Sequence, residues 1–389
     1  MKSTLKLSVI TAVLPILALG SAVLVTACGK DTPPPYTPNP SSGKKDSGSP
    51  DESGGSPSKP RKDSGTDPVG KDSGMPMAMT DSGTTPDVDA GGMTAPKPIV
   101  VPASPANPWI AFITLDSGQF GQLFFVKADG TGLAEYNGDS FDESDPSWSF
   151  DGKQLAFTAL NMTSGVTELR ILDLAAKTDT VLATGLEVIS RPRWSADGTA
   201  IVLSGAKVAT DKSALFRVDA SSGEATQLTE PTGGDGGHDV LADDRILFVR
   251  KLTASAFDIF STTLDATPAD AAARVTTGSM VLGGVSVHPD GTKIAFARAA
   301  GTSTNLIEYT ITTKAERTIG VTGDEQSDYF AGGDGLVVNR DAFGADSEIA
   351  TTDKDGMTVK QCTDDAVSNT NPSISSSESA SSDLAMFLK

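Results

Sequence analysis

From Trp109 onward, the hydrophobic positions follow a short pattern that returns every 42 to 48 residues. Each copy contains three consecutive apolar residues, in most copies just after an Asp-Gly turn, and then a stretch in which apolar and polar residues alternate. The triplets begin at Ile110, Leu155, Ile201, Ile246, Ile294, Leu336 and Leu384. Alternation with period two is typical of half-buried strands, and no helical period of comparable strength follows residue 108.

Each copy predicts four short strands. Alternating stretches such as 123–126 and 215–218 follow the triplets, and a second turn such as Asp129-Gly130 leads to a short closing strand such as 226–229. Gly residues at these points suit tight hairpins, which need a positive φ. Four strands in a unit of about 45 residues are typical of a propeller blade. We therefore predict an all-β chain with a six-bladed propeller of four-stranded antiparallel blades.

The number of blades follows from the period. The 281 residues from 109 to 389 give about 47 residues per blade for six blades and about 40 for the alternative of seven. The prolines at 102, 105 and 108 leave the first blade without an innermost strand of its own. We expect the C-terminal copy at 371–375 to supply that strand beside Ile110. The segment Leu384–Phe387 then remains as a surplus strand, or as the start of a seventh blade that Pro98–Val101 helps to complete.

The residues before the strongest triplets also carry a motif. They read Pro146-Ser147-Trp148-Ser149-Phe150-Asp151-Gly152 and Pro192-Arg193-Trp194-Ser195-Ala196-Asp197-Gly198. This P-x-W-S-x-D-G pattern, followed by the apolar triplet, resembles the WD-like repeats of the TolB-type propeller domain over roughly 109–389. The resemblance implies a propeller fold, and propellers of this type serve scaffolds, lyases and peptidases alike. Trp148 and Trp194 are expected to pack between adjacent blades.

The first 27 residues predict a secretory signal. Lys2 and Lys6 precede a nearly continuous apolar stretch from Leu7 to Val25. The ending Val25-Thr26-Ala27-Cys28 resembles the lipobox of bacterial lipoproteins, which implies lipidation at Cys28 and a bacterial cell envelope. Gly29 after the cysteine favours the outer membrane, with the protein facing the periplasm or the exterior.

Residues 28–107 predict a lipidated cysteine and a disordered tether. This segment holds 15 of the 23 prolines and repeats Lys-Asp-Ser-Gly at 45, 62 and 71. Pro, Gly, Ser and alternating charges bury too little apolar area to offset chain entropy. The domain boundaries are therefore 1–27, 28–107 and 108–389.

Composition excludes several classes of protein. The net charge of -19 excludes a nucleic-acid binder, which needs a basic surface. Two cysteines and two histidines exclude a disulfide scaffold and a Cys/His zinc site. No G-x-S-x-G motif occurs and no segment is left for a hydrolase domain, so a prolyl oligopeptidase is also excluded. We expect neither a metal nor a cofactor.

Three kinds of residue invite a catalytic reading. The Asp of each S-x-D-G turn is better explained as closing a hairpin through local N–H groups. His288 falls in such a turn, where we expect it at the surface, and His238 falls on the loop entering a blade. Two histidines fifty residues apart do not make a multi-His metal site. Cys362 aligns with Leu228 of another copy, so we expect it to fill an apolar position. We therefore expect no enzyme activity.

Acidic residues concentrate in the segments that join each outermost strand to the next blade. We expect these loops to surround one mouth of the central channel and to bind a basic partner, with solvated surface and channel calcium as the alternatives. The candidate binding residues are Asp139, Asp142, Glu143, Asp145, Asp235, His238, Asp239, Asp324, Glu325 and Asp328.

Together these features predict a monomeric envelope lipoprotein whose propeller is a scaffold that binds a protein or peptide. The alternative is a carbohydrate-active enzyme resembling a polysaccharide lyase. A cluster of His, Arg and Tyr at the channel would favour the enzyme, and an acidic mouth would favour the scaffold.

Overall fold

The computed structural model describes residues 99–115, 120–137, 142–161, 163–230, 232–341, 346–365, 367–377 and 381–389. Within these ranges, twenty-four strands form six separate four-stranded antiparallel sheets, so the six-bladed prediction is confirmed and the seven-bladed alternative is wrong. The described part of the chain contains no helix that is long and apolar enough to cross a bilayer.

The innermost strands of the six blades contact one another around the axis. They are β24 (Asn369–Ile374), β4 (Asp142–Trp148), β8 (Val188–Trp194), β12 (Asp235–Val240), β16 (Val281–Val287) and β20 (Asp324–Tyr329), for blades 1 to 6. The apolar triplets lie in the second strands, which are β1 (Trp109–Leu115), β5 (Gln154–Asn161), β9 (Ala200–Ala206), β13 (Arg245–Thr253), β17 (Lys293–Ala300) and β21 (Gly335–Arg340).

The outermost strand of each blade is the shortest, with two to five residues, and most of its residues are exposed or half-buried. The third strands are β2 (Gly121–Lys127), β6 (Val166–Asp173), β10 (Ala214–Asp219), β14 (Ala256–Thr263), β18 (Ser303–Thr310) and β22 (Glu348–Asp353). The outermost strands are β3 (Ala134–Glu135), β7 (Thr178–Leu182), β11 (Ala225–Gln227), β15 (Ala273–Arg274), β19 (Ala315–Ile319) and β23 (Thr358–Gln361).

The chain closes on itself in blade 1. The C-terminal strand β24 pairs with β1, with Ile374 opposite Ile110 and Ser373 opposite Ala111, as the sequence predicts. Closure of this kind removes the free inner edge that β1 would otherwise present.

The last residues differ from the prediction of a surplus strand. Ser381–Leu384 form a short helix α1, and Ala385–Phe387 continue it as a 3₁₀ turn. Leu384 and Phe387 are buried against Trp109 and Tyr136 between blades 1 and 2. This packing at the blade boundary buries the apolar side chains of Leu384 and Phe387, so the segment forms a helical turn and not a further strand.

Six hydrophobic clusters hold the propeller together, one at each boundary between neighbouring blades. Trp148 packs between blades 1 and 2 and Trp194 between blades 2 and 3, and both are almost fully buried, as predicted. Cys362 also fills an apolar position, between blades 6 and 1, and burial raises the pKa of its thiol to about 11. The core therefore consists of contacts between blades.

The S-x-D-G turns join the innermost strand to the second strand. Asp197 Oδ1 accepts hydrogen bonds from Ser195 Oγ and from the N–H of Thr199, and Asp151 is bonded in the same way. The structural interpretation of these aspartates is confirmed.

The innermost strands carry bulges at the level of the channel. In five of them a bulge residue has a positive φ, between 51° and 71°. These residues are Asp145, Arg191, Gly237, Gly283 and Asn371. A bulge of this kind locally redirects the strand, so side chains such as that of Arg191 leave the regular alternation.

Candidate functional site

The predicted acidic residues lie in the innermost strands and not in loops, which corrects the sequence-based placement. Bulged strands that begin with Asp or Gly look like loops in sequence, because acidic residues and glycine are rare in regular strands. Strand β4 contains Asp142, Glu143 and Asp145. Strand β12 contains Asp235, His238 and Asp239, and strand β20 contains Asp324, Glu325 and Asp328. Asp139 and Cys28 lie outside the described residues.

Two of these acids are buried counter-ions at the first position of their strands. Asp235 accepts hydrogen bonds from Nε and Nη2 of Arg250 at 2.7 and 2.6 Å. Asp324 holds Arg340 in the same bidentate arrangement. Both carboxylates are inaccessible to solvent, so they hold β12 and β20 to the second strands of their blades.

Asp142 and Glu143 connect blade 2 to blade 1. Asp142 accepts a hydrogen bond from the N–H of Gly121, and Glu143 accepts one from the N–H of Leu123. Glu143 is 3% exposed, and burial raises the pKa of its carboxyl to about 7. Glu325 is half-buried, and burial followed by the nearby charge of Asp341 raises its pKa as well.

The two histidines lie in different blades and have separate partners. His238 is fully buried in β12 with Nε2 3.1 Å from the carbonyl oxygen of Val202, and burial lowers its pKa to about 3. His288 was expected on the surface, but its side chain is mostly buried: it contacts Asp290 and Gly333 and meets Tyr329 edge-to-face. No group of three or more potential metal ligands occurs within the described ranges.

One position of the repeat forms a set of side chains around the channel. It is the residue of each innermost strand that pairs with the middle residue of the apolar triplet. Going through the blades from 1 to 6, this position holds Ser373, Ser147, Arg193, Asp239, Ser286 and Asp328.

Side chains of this channel set link several neighbouring blades. Asp239 Oδ2 accepts the N–H of Val287 at 2.7 Å, and Asp328 Oδ2 accepts the N–H of Ile374 at 3.1 Å. Asp239 also lies 3.8 Å from Nε of Arg193. The carboxylates of Asp239 and Asp328 are therefore fixed in place at the channel.

An open cavity of about 160 Å³ lies over the channel set. Its lining includes five members of the set, which are Ser147, Arg193, Asp239, Asp328 and Ser373. The turns that follow the innermost strands surround the mouth of the cavity. Phe150, which is 42% exposed, and Val100, which is 83% exposed, form part of the lip. We call this space the turn-face cavity. It opens on the face opposite to the one on which the acidic loops were expected, because the predicted acids at 142, 235 and 324 begin the strands and the cavity lies at their ends.

The N-terminal residues run along the same face. Ile99 packs in the cluster between blades 4 and 5, and Val100 and Pro102 line the turn-face cavity. Ser104 Oγ accepts a hydrogen bond from the N–H of Gly332 in blade 6. Residues 99–107, which the sequence assigns to the tether, therefore contribute to the cavity lip.

Two carboxylates and one guanidinium give the turn-face cavity its charge. Burial raises the pKa of Asp328 to about 6, and the neighbouring charge of Asp239 adds to the shift. Burial likewise raises the pKa of Asp239. With only Arg193 opposite them, the two acids leave the lining one negative charge in excess when both are ionised. A cationic group entering the cavity would relieve this imbalance.

The sequence reasoning selected Asp239 and Asp328 but missed the rest of the channel set. The residue that follows the proline in the P-x-W pattern and its weaker copies is Ser147, Arg193 or Ser373. Comparing that position across the six copies would have brought the set together, whereas counting acidic residues did not.

Comparison with known proteins identifies the family to which this propeller is similar. The family model described as the TolB beta propeller domain matches residues 109–378. No curated protein matches the sequence.

Several solved structures share the fold. TolB from Acinetobacter baumannii is similar with a TM-score of 0.56 and 16% identity, over 71% of this chain and 68% of that one. A putative TolB from Agrobacterium tumefaciens has a TM-score of 0.53 and 19% identity, over 67% and 90% of the two chains. The hydrazine synthase of Kuenenia stuttgartiensis has a TM-score of 0.57 and 12% identity, over 71% and 47%.

These structural likenesses are low in identity and establish the fold alone. The family match extends over more than two thirds of the sequence and includes every innermost strand that carries the channel set. The chain therefore belongs to the TolB beta propeller domain family.

Proposed function

We propose that this chain is an envelope lipoprotein whose propeller binds a protein or peptide partner in the turn-face cavity. The observation that carries the proposal is the composition of that cavity, in which an exposed apolar lip surrounds a fixed floor of hydrogen-bonding and charged side chains. Concave sites with apolar walls and a few convergent polar groups are the usual form of a binding site.

The floor favours a partner that presents a basic group. Asp239 and Asp328 face a shared space, are already fixed by backbone N–H groups, and outnumber the one arginine that lines the cavity with them. A lysine side chain or a terminal amine would balance the excess charge. Phe150 and Val100 at the lip would meet apolar side chains of the same segment.

The lipoprotein part of the proposal rests on the signal and the lipobox-like sequence ending at Cys28. Acyl chains on Cys28 would hold the protein on a membrane of the cell envelope. Residues 99–107 run along the lip of the turn-face cavity as the chain enters the propeller. This N-terminal segment and the proposed binding site therefore lie on one face.

The test is crosslinking of the full-length protein in its native envelope, followed by purification and identification of the attached proteins. We expect Asp239→Asn combined with Asp328→Asn to reduce recovery of a specific crosslinked partner at least about tenfold, since paired charges at such sites contribute on the order of 2 kcal/mol or more. The matched control is Asp211→Asn, which removes an exposed carboxylate from a loop that follows a second strand, on the opposite face.

Equal recovery of the same partner from the wild type and the double variant would contradict the proposed site. A partner lost equally from the Asp211→Asn control would also contradict it, because the effect would then follow from net charge alone.

A further inference from the structure

Residues 99–104 cross the turn face from blade 6 to the boundary between blades 4 and 5. Ser104 Oγ accepts a backbone N–H of blade 6 at 2.9 Å, and Ile99 packs in the hydrophobic cluster between blades 4 and 5. Val100 and Pro102, which lie between these two contacts, line the turn-face cavity. The described chain therefore begins at the rim of the proposed binding site.

Ile99 also lies next to a lining residue of the turn-face cavity. A Cβ added to Gly291 would be 2.7 Å from Cδ1 of Ile99 and 2.9 Å from Cδ2 of Leu241, so these two side chains end at the same point. Leu241 lines the cavity and follows Asp239 by two residues. Since two residues of chain span at most about 7 Å, the described chain begins close to one carboxylate of the cavity floor.

A single basic residue precedes this point in the sequence. Lys97 comes two residues before Ile99, just outside the described residues, and no other Lys, Arg or His occurs between residues 72 and 126. The Cα atoms of residues 97 and 99 are at most about 7 Å apart, and a lysine side chain adds roughly 6 Å. An ammonium attached at this position can therefore reach from Ile99 to the cavity floor.

The charge of the cavity floor suits one lysine. Arg193 lies 3.8 Å from Asp239 and balances it. Asp328 accepts the N–H of Ile374 at 3.1 Å but forms no ion pair within the described part of the chain. One ammonium group beside Asp328 would bring the charged groups of the lining to neutrality, because an opposite charge favours the ionised carboxylate.

The residues that flank Lys97 lower the entropy cost of holding it in one place. They are Pro96 and Pro98. Proline fixes its own φ and keeps the residue before it in an extended conformation. Less conformational freedom is therefore lost when this segment docks than when an ordinary segment does.

We propose that Lys97 occupies the turn-face cavity of its own chain and must be displaced before a partner binds. This inference rests on the proposed function, because it adds an intramolecular competitor for the basic group of the partner. A side chain attached two residues from a fixed point has an effective concentration in the millimolar range or above. A partner then displaces Lys97 only if it also contacts the apolar lip, so the competition makes the site more selective.

Acetylation of lysines in the full-length protein tests the position of Lys97 without any partner. With a limiting amount of sulfo-N-hydroxysuccinimide acetate, we expect Lys97 to react about tenfold more slowly than Lys71, as for a site occupied about nine-tenths of the time. Lys71 is the control in the same chain, and rates in the urea-unfolded protein correct for local sequence. Site-resolved mass spectrometry measures both rates, and equal corrected rates would overturn the proposal.

Variants of the cavity floor test where Lys97 is shielded. Asp239→Asn combined with Asp328→Asn should raise the rate of Lys97 to that of Lys71, whereas the control Asp211→Asn should leave it slow. A Lys97 that stays slow in the double variant would overturn the proposal, because another part of the protein would then shield it.

A carbodiimide crosslink in the wild type replaces this test if the double variant fails to fold. The reagent activates a carboxyl group, and the lysine amine attacks the carbonyl carbon, forms an amide bond and releases the reagent as a urea. We expect a crosslinked peptide that joins Lys97 to Asp239 or Asp328. With the double variant unfolded, the absence of this peptide would overturn the proposal.

The effect on the partner is measured separately in the envelope crosslinking experiment. Lys97→Gln should increase recovery of the partner up to about tenfold, and the control Lys71→Gln should leave it unchanged. Unchanged recovery from Lys97→Gln would overturn the competition. A shielded Lys97 with no partner recovered from any variant would contradict the proposed function instead, and a reactive Lys97 with a partner recovered would contradict only the present inference.

Discussion

Arg340 donates a hydrogen bond from Nη2 to Oδ2 of Asp324 at 2.7 Å, and the two side chains are 1% and 0% exposed. The pair links the start of the innermost strand β20 to the end of β21 in the same blade. Removing one member leaves a buried charge without its counter-ion, which costs much more than an exposed pair is worth.

We therefore expect Arg340→Met to lower the free energy of unfolding by about 3–5 kcal/mol. The control Arg298→Met breaks a half-exposed pair with Glu316 and should cost less than about 1 kcal/mol. Chemical denaturation of both variants measures the difference. Equal losses of unfolding free energy in the two variants would mean that the buried pair stabilises blade 6 no more than an exposed pair does.

The buried carboxyl of Glu143 predicts a dependence of stability on pH. Its pKa is about 7 in the folded protein against an ordinary value of 4.5, so the folded state holds the proton more tightly than the unfolded state. The resulting stabilisation is complete below pH 4.5 and is lost as the pH rises to 7, which amounts to about 3 kcal/mol.

Glu143→Gln should remove this component, so the variant should gain stability relative to the wild type as the pH rises from 4.5 to 7.5. Urea denaturation at several pH values measures it, with the exposed Glu224→Gln as the control. Parallel pH profiles for wild type and Glu143→Gln would show that the carboxyl is solvated.

The two tryptophans of the repeat should both anchor the boundaries between blades. Trp148→Ala and Trp194→Ala should each cost roughly 3–5 kcal/mol, because each empties a large volume between two blades. Trp194 should cost the more of the two, since its Nε1 also donates to the carbonyl oxygen of Ser147 at 3.2 Å. Equilibrium unfolding measures both, and the control is Phe150→Ala at the cavity lip. A loss at Phe150 as large as at Trp194 would argue against the blade boundaries as the core.

Closure of the ring of blades should be essential for stability. Deleting residues 371–389 removes most of β24 and leaves β1 without its inner partner, so we expect a larger Stokes radius and no cooperative transition. Deleting only 381–389 removes α1 and the 3₁₀ turn, and should lower the Tm while keeping the protein compact. If the longer deletion left both the Tm and the radius unchanged, β24 would not be the closing strand.

The proposed lipid anchor predicts a dependence on a single thiol. Cys28→Ala should prevent acylation and leave an uncleaved or missorted precursor, because the only other cysteine, Cys362, is buried in the propeller. Intact mass and membrane fractionation after a carbonate wash measure this. A variant with the wild-type mature mass that still sediments with membranes would contradict lipidation at Cys28.

The repeat made the architecture predictable from sequence. The spacing of the apolar triplets gave six blades, and the prolines before Trp109 indicated that the C-terminal copy must close blade 1. Both inferences depend on regular periodicity, which survives even when individual residues vary.

The site was less predictable because it depends on departures from the repeat. A segment such as Asp235–Val240 has the composition of a loop, and only its pairing with β13 identifies it as a bulged strand. Asp235 precedes Arg250 by 15 residues and Asp324 precedes Arg340 by 16, and this similar spacing was a signal for the buried pairs. Nothing in sequence spacing indicated that the guanidinium of Arg191 in β8 lies against Gly284 of β16, because that contact crosses two blade boundaries.

The position of β1 determines how the propeller responds to mechanical load. A force applied through the chain before Ile99 must first break the contacts that residues 99–107 make with the propeller. It then acts on β1, which is bonded to β2 on one side and to β24 on the other. Since β1 is not an edge strand, it cannot be peeled away one hydrogen bond at a time. A pull along its axis must break the bonds on both sides together, in shear. The closing strand therefore makes blade 1 resistant to being pulled open by its own N-terminal connection.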